Sequence, residues 1–389
     1  MKSVNCDVLV VGASPSGIAA ATAAAEGGAE VILLDKDMGE SFSHPANTFF
    51  DGMFSRAGLA VEREYVLHDL EGMWIISPGG CAVEIPAPGR FIDRSRFDAL
   101  YLERAEGAGA ELMRGEAKSA SHAGAGRRVG TDSGEIEAKV VIDASGVDGA
   151  IARREGLSPQ RHPEDVAWAA EAVVELAGLG EERRFEYFLG SISPGWKATF
   201  SPGGGDLATL GVFVRGHGRD VRPFLDRFVE FFKKYKSADY DAREMKVVAV
   251  NQGGDAIATL PGEIVADSLM ATGAAAGMSG IAYAIRAGTI AGDVAARAAA
   301  SGDVSKKGLS GYVRLWRREF GLEYRMGRAS LLTLGRMPDE VIDRLAAGLA
   351  KRDLDLSGSF SRKGLSAGIA LARARPRTIP SLVRSFVEG

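Results

Sequence analysis

The chain has 389 residues, enough to bury a large core as one composite unit or as two closely packed domains. Apolar residues make up 46% and charged residues 25%, an ordinary globular balance, and the formal net charge of −4 gives no overall attraction for nucleic acid. Two cysteines, Cys6 and Cys81, exclude a disulfide framework and sit in no metal-ligand spacing, so no metal site and a reducing, cytoplasmic compartment are expected.

The opening MKSVNCDVLVVG carries one lysine and runs directly into a strand pattern, so no signal peptide is expected. Residues 6–11 read as a buried strand, 16–26 as an alanine-rich helix and 30–35 as a second strand, which together form a βαβ unit. In the turn Gly12 permits the sharp bend, Ser14 stands where a middle glycine is usual, and Gly17 lets the helix pack on the sheet. The helix N-terminus offers N–H groups and a positive dipole end to a pyrophosphate. Asp35, 23 residues after Gly12, ends the second strand, where a carboxylate can accept both hydroxyls of an adenosine ribose. On these residues alone NAD and FAD remain equal candidates.

Further along, residues 90–112 place Arg94 ahead of an amphipathic helix leading into a strand. Residues 139–157 read as a strand ending in a turn of small residues. The segment 161–254 is rich in β-branched and aromatic residues between Gly/Pro turns, which suits an antiparallel sheet. Residues 267–298 read as a strand, a Gly/Ala turn and a long helix. That helix contains the most apolar long stretch, 281–300, but Arg286, Asp293 and Arg297 interrupt it, so a membrane span is not expected. From about 305 onward apolar residues recur at three- and four-residue spacing, a helical pattern. In the tail, Arg362, Lys363, Arg373, Arg375, Arg377 and Arg384 have no acidic neighbour between 361 and 387. Such a tail is either a solvated helical face or a peripheral contact with anionic lipid.

These spaced segments resemble the FAD-binding fold of the para-hydroxybenzoate hydroxylase and geranylgeranyl reductase group. Within it FFDGMFSRAGL (49–59), DRSRFDALYLERAEGAGAE (93–111), SPGWKATFSPGGGDLATLGV (193–212) and GYVRLWRREFG (311–321) are most similar to the geranylgeranyl reductase family, flavoproteins that saturate isolated double bonds of prenyl chains. The resemblance implies a mixed α/β (α+β) chain. A Rossmann-like FAD-binding domain would be assembled from 1–65, 90–160 and 255–300, with an inserted antiparallel β-sheet substrate domain from 66–89 and 161–254 and a C-terminal helical region, 301–389. FAD would then lie on Gly12, Ser14, Pro15, Ser16 and Gly17, with Asp35 and Lys36 at the ribose and Arg94 at the diphosphate. Gly273, Ala274 and Gly277 would pass the ribityl chain, and Met278, Ser279, Gly280 and Ile281 would lie near the isoalloxazine. Phe49, Phe50, Trp168, Phe185, Tyr187, Trp196 and Phe200 are candidates to line an apolar substrate tunnel; simple core is the competing reading.

Two departures from the family pattern stand out. GAAAG replaces glycine-aspartate-alanine-alanine-glycine, so Ala274 stands where an acid would hold the ribityl hydroxyls, and the following loop is contracted to MSG. Residues 36–60 lack the cysteine seen in several relatives and offer His44 as a candidate proton donor. The expected activity is flavin-dependent reduction of a prenylated or other hydrophobic lipid, with NADPH, reduced ferredoxin or a deazaflavin as electron donor. A flavin monooxygenase and a non-catalytic lipid- or quinone-binding flavoprotein are the alternatives.

Overall fold

A computed structural model describes residues 3–38 and 47–350; His44 and the basic tail therefore lie outside the described residues. Three sheets organise the described residues. The first has eight strands, with the path 265–266, 269–271, 135–143, 3–11, 31–35 and 110–114, and the hairpin 117–123/126–131 added on the strand 135–143. Ser3–Val11 runs parallel to both Val31–Asp35 and Glu135–Asp143, and Val8, Leu9 and Val10 are fully buried. Continuous burial along successive residues is the mark of a parallel strand covered on both faces.

One cover is the helix Pro15–Glu26, which the long helix Ile281–Ser301 overlies. Small residues allow that contact: a Cβ at Gly288 would stand 2.0 Å from the Ser16 carbonyl oxygen, so only glycine fits there.

The second sheet has seven strands in the order 246–255, 167–175, 207–215, 197–202, 184–188, 72–76 and 82–85. Its strands are antiparallel except for the parallel pair 184–188 and 72–76. The helix Arg222–Tyr235 lies within the segment read from sequence as strands. Leu225, Phe228, Val229 and Phe232 occupy one stripe of it and are buried against the sheet. A third, small sheet joins Thr48–Phe50, Gly89–Ile92 and Val66–Leu70. The segment 66–89, expected to enter the substrate sheet whole, is thus divided: its first strand joins the small sheet, and 72–76 and 82–85 form the edge of the large one. Past residue 305 the chain is helical through Lys306–Leu309, Gly311–Leu334 and Asp339–Leu349.

Candidate functional site

The carboxyl ends of four strands, at Val11, Asp35, Asp143 and Ala271, gather along one edge of the eight-stranded sheet. A crevice outside such ends is where open α/β sheets bind ligands. Gly12 takes φ +105°, and a Cβ there would meet the Ala144 carbonyl oxygen at 2.6 Å, so the residue is dictated by backbone approach as well as by its dihedral.

Ser14 caps the helix, its Oγ accepting from Gly17 N at 3.3 Å and donating to the Ala144 carbonyl at 3.0 Å. Pro15 has no N–H, and Ile18 N already donates to the Ser14 carbonyl. Of the first-turn donors this leaves the N–H of Ser16 to face an anion. Ser14 and Pro15 are half-buried, Ser16 and Gly17 buried.

Asp35 is half-buried and Lys36 exposed beside the turn. The Asp35 carboxylate accepts from Ala13 N at 2.8 Å, Asp37 N at 2.8 Å and Met38 N at 3.0 Å, which holds it against the glycine turn. Arg94 begins the helix Arg94–Gly107 and is buried, its Nε 3.0 Å from Asp98 Oδ2. Its charge is thus already compensated, and a diphosphate would share it. Asp143 anchors the neighbouring loop, accepting from Ile151 N at 2.9 Å, Ala152 N at 2.7 Å and the Ser145 hydroxyl at 2.6 Å.

The second wall is the turn 273–280. Gly273 (φ +61°) faces Ser16, and Ala274 is half-buried, its carbonyl accepting from Gln160 Nε2 at 2.7 Å. Gly277 is buried against residues 259–260. Met278, expected near an isoalloxazine, instead turns its side chain into the core, where its sulfur accepts from the Tyr312 hydroxyl at 3.4 Å. Ser279 donates its hydroxyl to Asp255, Gly280 is exposed, and Ile281 is half-buried at the start of the long helix.

The aromatic candidates divide by strand alternation. Phe200 lies on the face covered by the helix Arg222–Tyr235, fully buried with its ring 4.9 Å from Phe232. Trp168 packs on the same side, with the Arg219 guanidinium 4.3 Å above its ring. Phe49 is buried in another core, between Phe54 and Phe97. These three are packing residues and do not line the inner face, because the helix and the small sheet take up their surfaces. Phe50, Phe185, Tyr187 and Trp196 are differently placed. Phe50 meets Phe185 edge to face at 5.6 Å, and Tyr187 meets Trp196 edge to face at 5.9 Å, on the side opposite the covering helix.

That inner face also carries polar groups. Thr48 hydrogen-bonds Ser201, tying the small sheet to the large one. Lys197, Glu171 and Asp255 occupy strands whose neighbours point the other way into the helix-covered core. Lys197, Tyr187 and Asp255 are half-buried on this face. Burial lowers the Lys197 ammonium from its usual value, against the pull of Asp255 and Glu171. Burial raises Asp255, opposed by the Ser279 hydrogen bond and by Lys197. The signal for Lys197 was present in WKATFSP, where Lys197, Thr199 and Ser201 alternate with Ala198 and Phe200.

A helix N-terminus, the Ser16 hydroxyl and a buried arginine as donors, with an acid at the second strand end as acceptor, form a set suited to a dinucleotide. Residues 7–167 match the family described as FAD dependent oxidoreductase, and the class is therefore that of FAD-dependent oxidoreductases. Digeranylgeranylglycerophospholipid reductase 1 of Methanothermobacter thermautotrophicus is 32% identical over 87% of this chain and 89% of its own. Digeranylgeranylglycerophospholipid reductase 2 of Methanosphaera stadtmanae is 30% identical over 90% and 93%. The chain belongs to this geranylgeranyl reductase family. A crystal structure of a geranylgeranyl bacteriochlorophyll reductase-like protein from Thermoplasma acidophilum superposes with a TM-score of 0.86 at 22% identity, covering 99% of this chain and 100% of that one. The flavin-dependent halogenase CmlS superposes at 0.66 and 18%, covering 98% and 78%. Both likenesses establish the fold. Among the described residues no helix is long and apolar enough to cross a membrane.

Proposed function

We propose that the protein saturates carbon–carbon double bonds in the prenyl chains of a glycerophospholipid, using electrons held by FAD. Bound reduced flavin supplies the hydride. The observation that carries the reading is the pairing of this family's frame with an aromatic inner face, Phe50, Phe185, Tyr187 and Trp196, of which Trp196 also lines a groove of about 460 Å³. Leu189, Leu331, Leu334, Met337 and Ile342 line that groove beside Trp196 and could take an isoprenoid chain, with Ser191, Asp339 and Glu340 as its polar part.

In this reading Ser14, Ser16 and Arg94 hold the diphosphate and Asp35, with Lys36, the ribose. The turn at Gly273, Ala274 and Gly277 follows the ribityl chain. Ser279 and Ile281 face the ring system, with Gly280 allowing close approach. Aromatic side chains exclude water and orient the lipid.

The test is anaerobic. Protein reduced with dithionite and mixed with a digeranylgeranyl glycerophospholipid should reoxidise its flavin and yield a lipid heavier by two hydrogens for each bond reduced. Reoxidation that requires dioxygen and adds oxygen to the product would establish a monooxygenase instead. Reduced flavin left untouched by a panel of prenyl lipids and quinones would favour a binding protein.

A further inference from the structure

An isolated alkene carries no carbonyl to polarise it, so accepting a hydride at one carbon demands an acid at the other. Lys197 starts the strand Lys197–Pro202 with its side chain on the inner face. Its Nζ lies 4.5 Å from the centroid of Phe213, 5.1 Å from Tyr187 and 5.7 Å from Trp196. Among the described residues no hydrogen bond or close ion pair ties this nitrogen; longer-range attraction to Asp255 and Glu171 is its electrostatic support. Asp255 in turn is bonded to Ser279, in the turn read above as facing the flavin. An ammonium held among aromatic rings with no close counter-ion among the described residues is costly to desolvate.

We propose that Lys197 is the acid that protonates the substrate double bond, boxed by Phe213, Tyr187 and Trp196 and attracted by Asp255, which the Ser279 hydroxyl holds. The inference rests on the prenyl-reductase reading. In the step an N–H bond of Lys197 breaks and a C–H bond forms at the less substituted alkene carbon. Positive charge develops at the other carbon, which takes the hydride. The alkene gains two electrons and the flavin loses two. Neutral Lys197 then recovers a proton from water. The three rings that stabilise the ammonium also stabilise the cationic carbon that replaces it. Glu171, Asp255 and Tyr187 are the titratable groups facing Lys197 from the neighbouring strands.

The experiment compares wild type, K197Q and K197R, each loaded with FAD and reduced with dithionite. K197R keeps the charge but holds its protons too tightly to act as an acid near neutral pH. Both variants should bind FAD as wild type does and lose about 100-fold or more in lipid-driven flavin reoxidation. The wild-type rate should fall at high pH along a limb absent from both variants. Independently of turnover, NMR of ¹³C-dimethylated lysines in the oxidised protein should show one signal titrating below the rest and missing from K197R. K197R turning over at the wild-type rate would show that charge suffices and overturn the proton-donor role. K197Q at the wild-type rate, or a Lys197 signal titrating with the surface lysines, would do the same. Wild type that leaves the lipid unreduced would instead overturn the functional reading itself.

Discussion

Asp35 accepts a hydrogen bond from the backbone N–H of Ala13 at 2.8 Å, so the acid ending the second strand is fastened to the turn that follows the first. With Asp37 and Met38 N–H filling Oδ1, this carboxylate shapes the glycine turn and keeps one acceptor site, on Oδ2, for a ribose hydroxyl. Asp35→Ala should weaken FAD binding roughly ten- to a hundredfold, the effect of losing about 1.5–3 kcal/mol of charged hydrogen bonding. Asp35→Asn should fall between the variant and wild type, since its amide oxygen can still accept from Ala13. Flavin fluorescence titration of the apoprotein measures both; unchanged affinity in Asp35→Ala would remove the residue from the site.

Ala274 stands half-buried with its carbonyl engaged by Gln160, in a turn where an acid would meet the ribityl hydroxyls. Ala274→Asp should tighten FAD binding about tenfold or more through one charged hydrogen bond. The same titration reads it, and equal or weaker binding would show that the turn serves another purpose.

Phe200 and Trp196 belong to one aromatic stretch but to different surroundings. Phe200→Ala should cost about 3–5 kcal/mol in chemical denaturation, because it opens a void under the helix Arg222–Tyr235. Trp196 is half-buried, and its buried Nε1 has no hydrogen-bond partner among the described residues. Trp196→Phe should therefore leave stability unchanged or raise it, whereas Trp196→Ala should raise KM for the lipid more than it lowers kcat. A large stability loss in Trp196→Phe would show that the indole nitrogen has a partner such as water.

Lys236 fastens the covering helix to the sheet through Glu186 at 2.8 Å and Glu182 at 2.8 and 2.9 Å, with Glu186 fully buried. Lys236→Met should cost about 3–5 kcal/mol near pH 8 by stranding a buried carboxylate. Burial lifts Glu186 from 4.5 to about 7 even with Lys236 lowering it. A folded value above the unfolded one means a contribution to stability that is complete below pH 4.5 and is lost as pH rises through about 7. Without Lys236 the folded value rises further, so the cost of the substitution should shrink from pH 8 to pH 5. Urea midpoints across that range test it, and a cost independent of pH would contradict the pairing.

The first βαβ unit was legible because its signals are local: an apolar run, a glycine that must bend, a capping serine and an acid at a strand end lie within residues 6–35. Family pattern supplied the flavin and the second sheet in the same way. The amphipathic stripe of Arg222–Tyr235 was also there to be read, at Leu225, Phe228, Val229 and Phe232, within a segment otherwise full of strand formers. What sequence could not decide was the side of the sheet that stripe covers. Alternation separates Phe200 and Trp168 from Tyr187 and Lys197, but both faces of the sheet read as apolar or aromatic until the helix occupies one. Once it does, Phe200 and Trp168 become core. Lys197, Asp255 and Ser279, from three distant segments, come together on the other face, because only the packing of the large sheet against the flavin-side turn brings them within reach of one another.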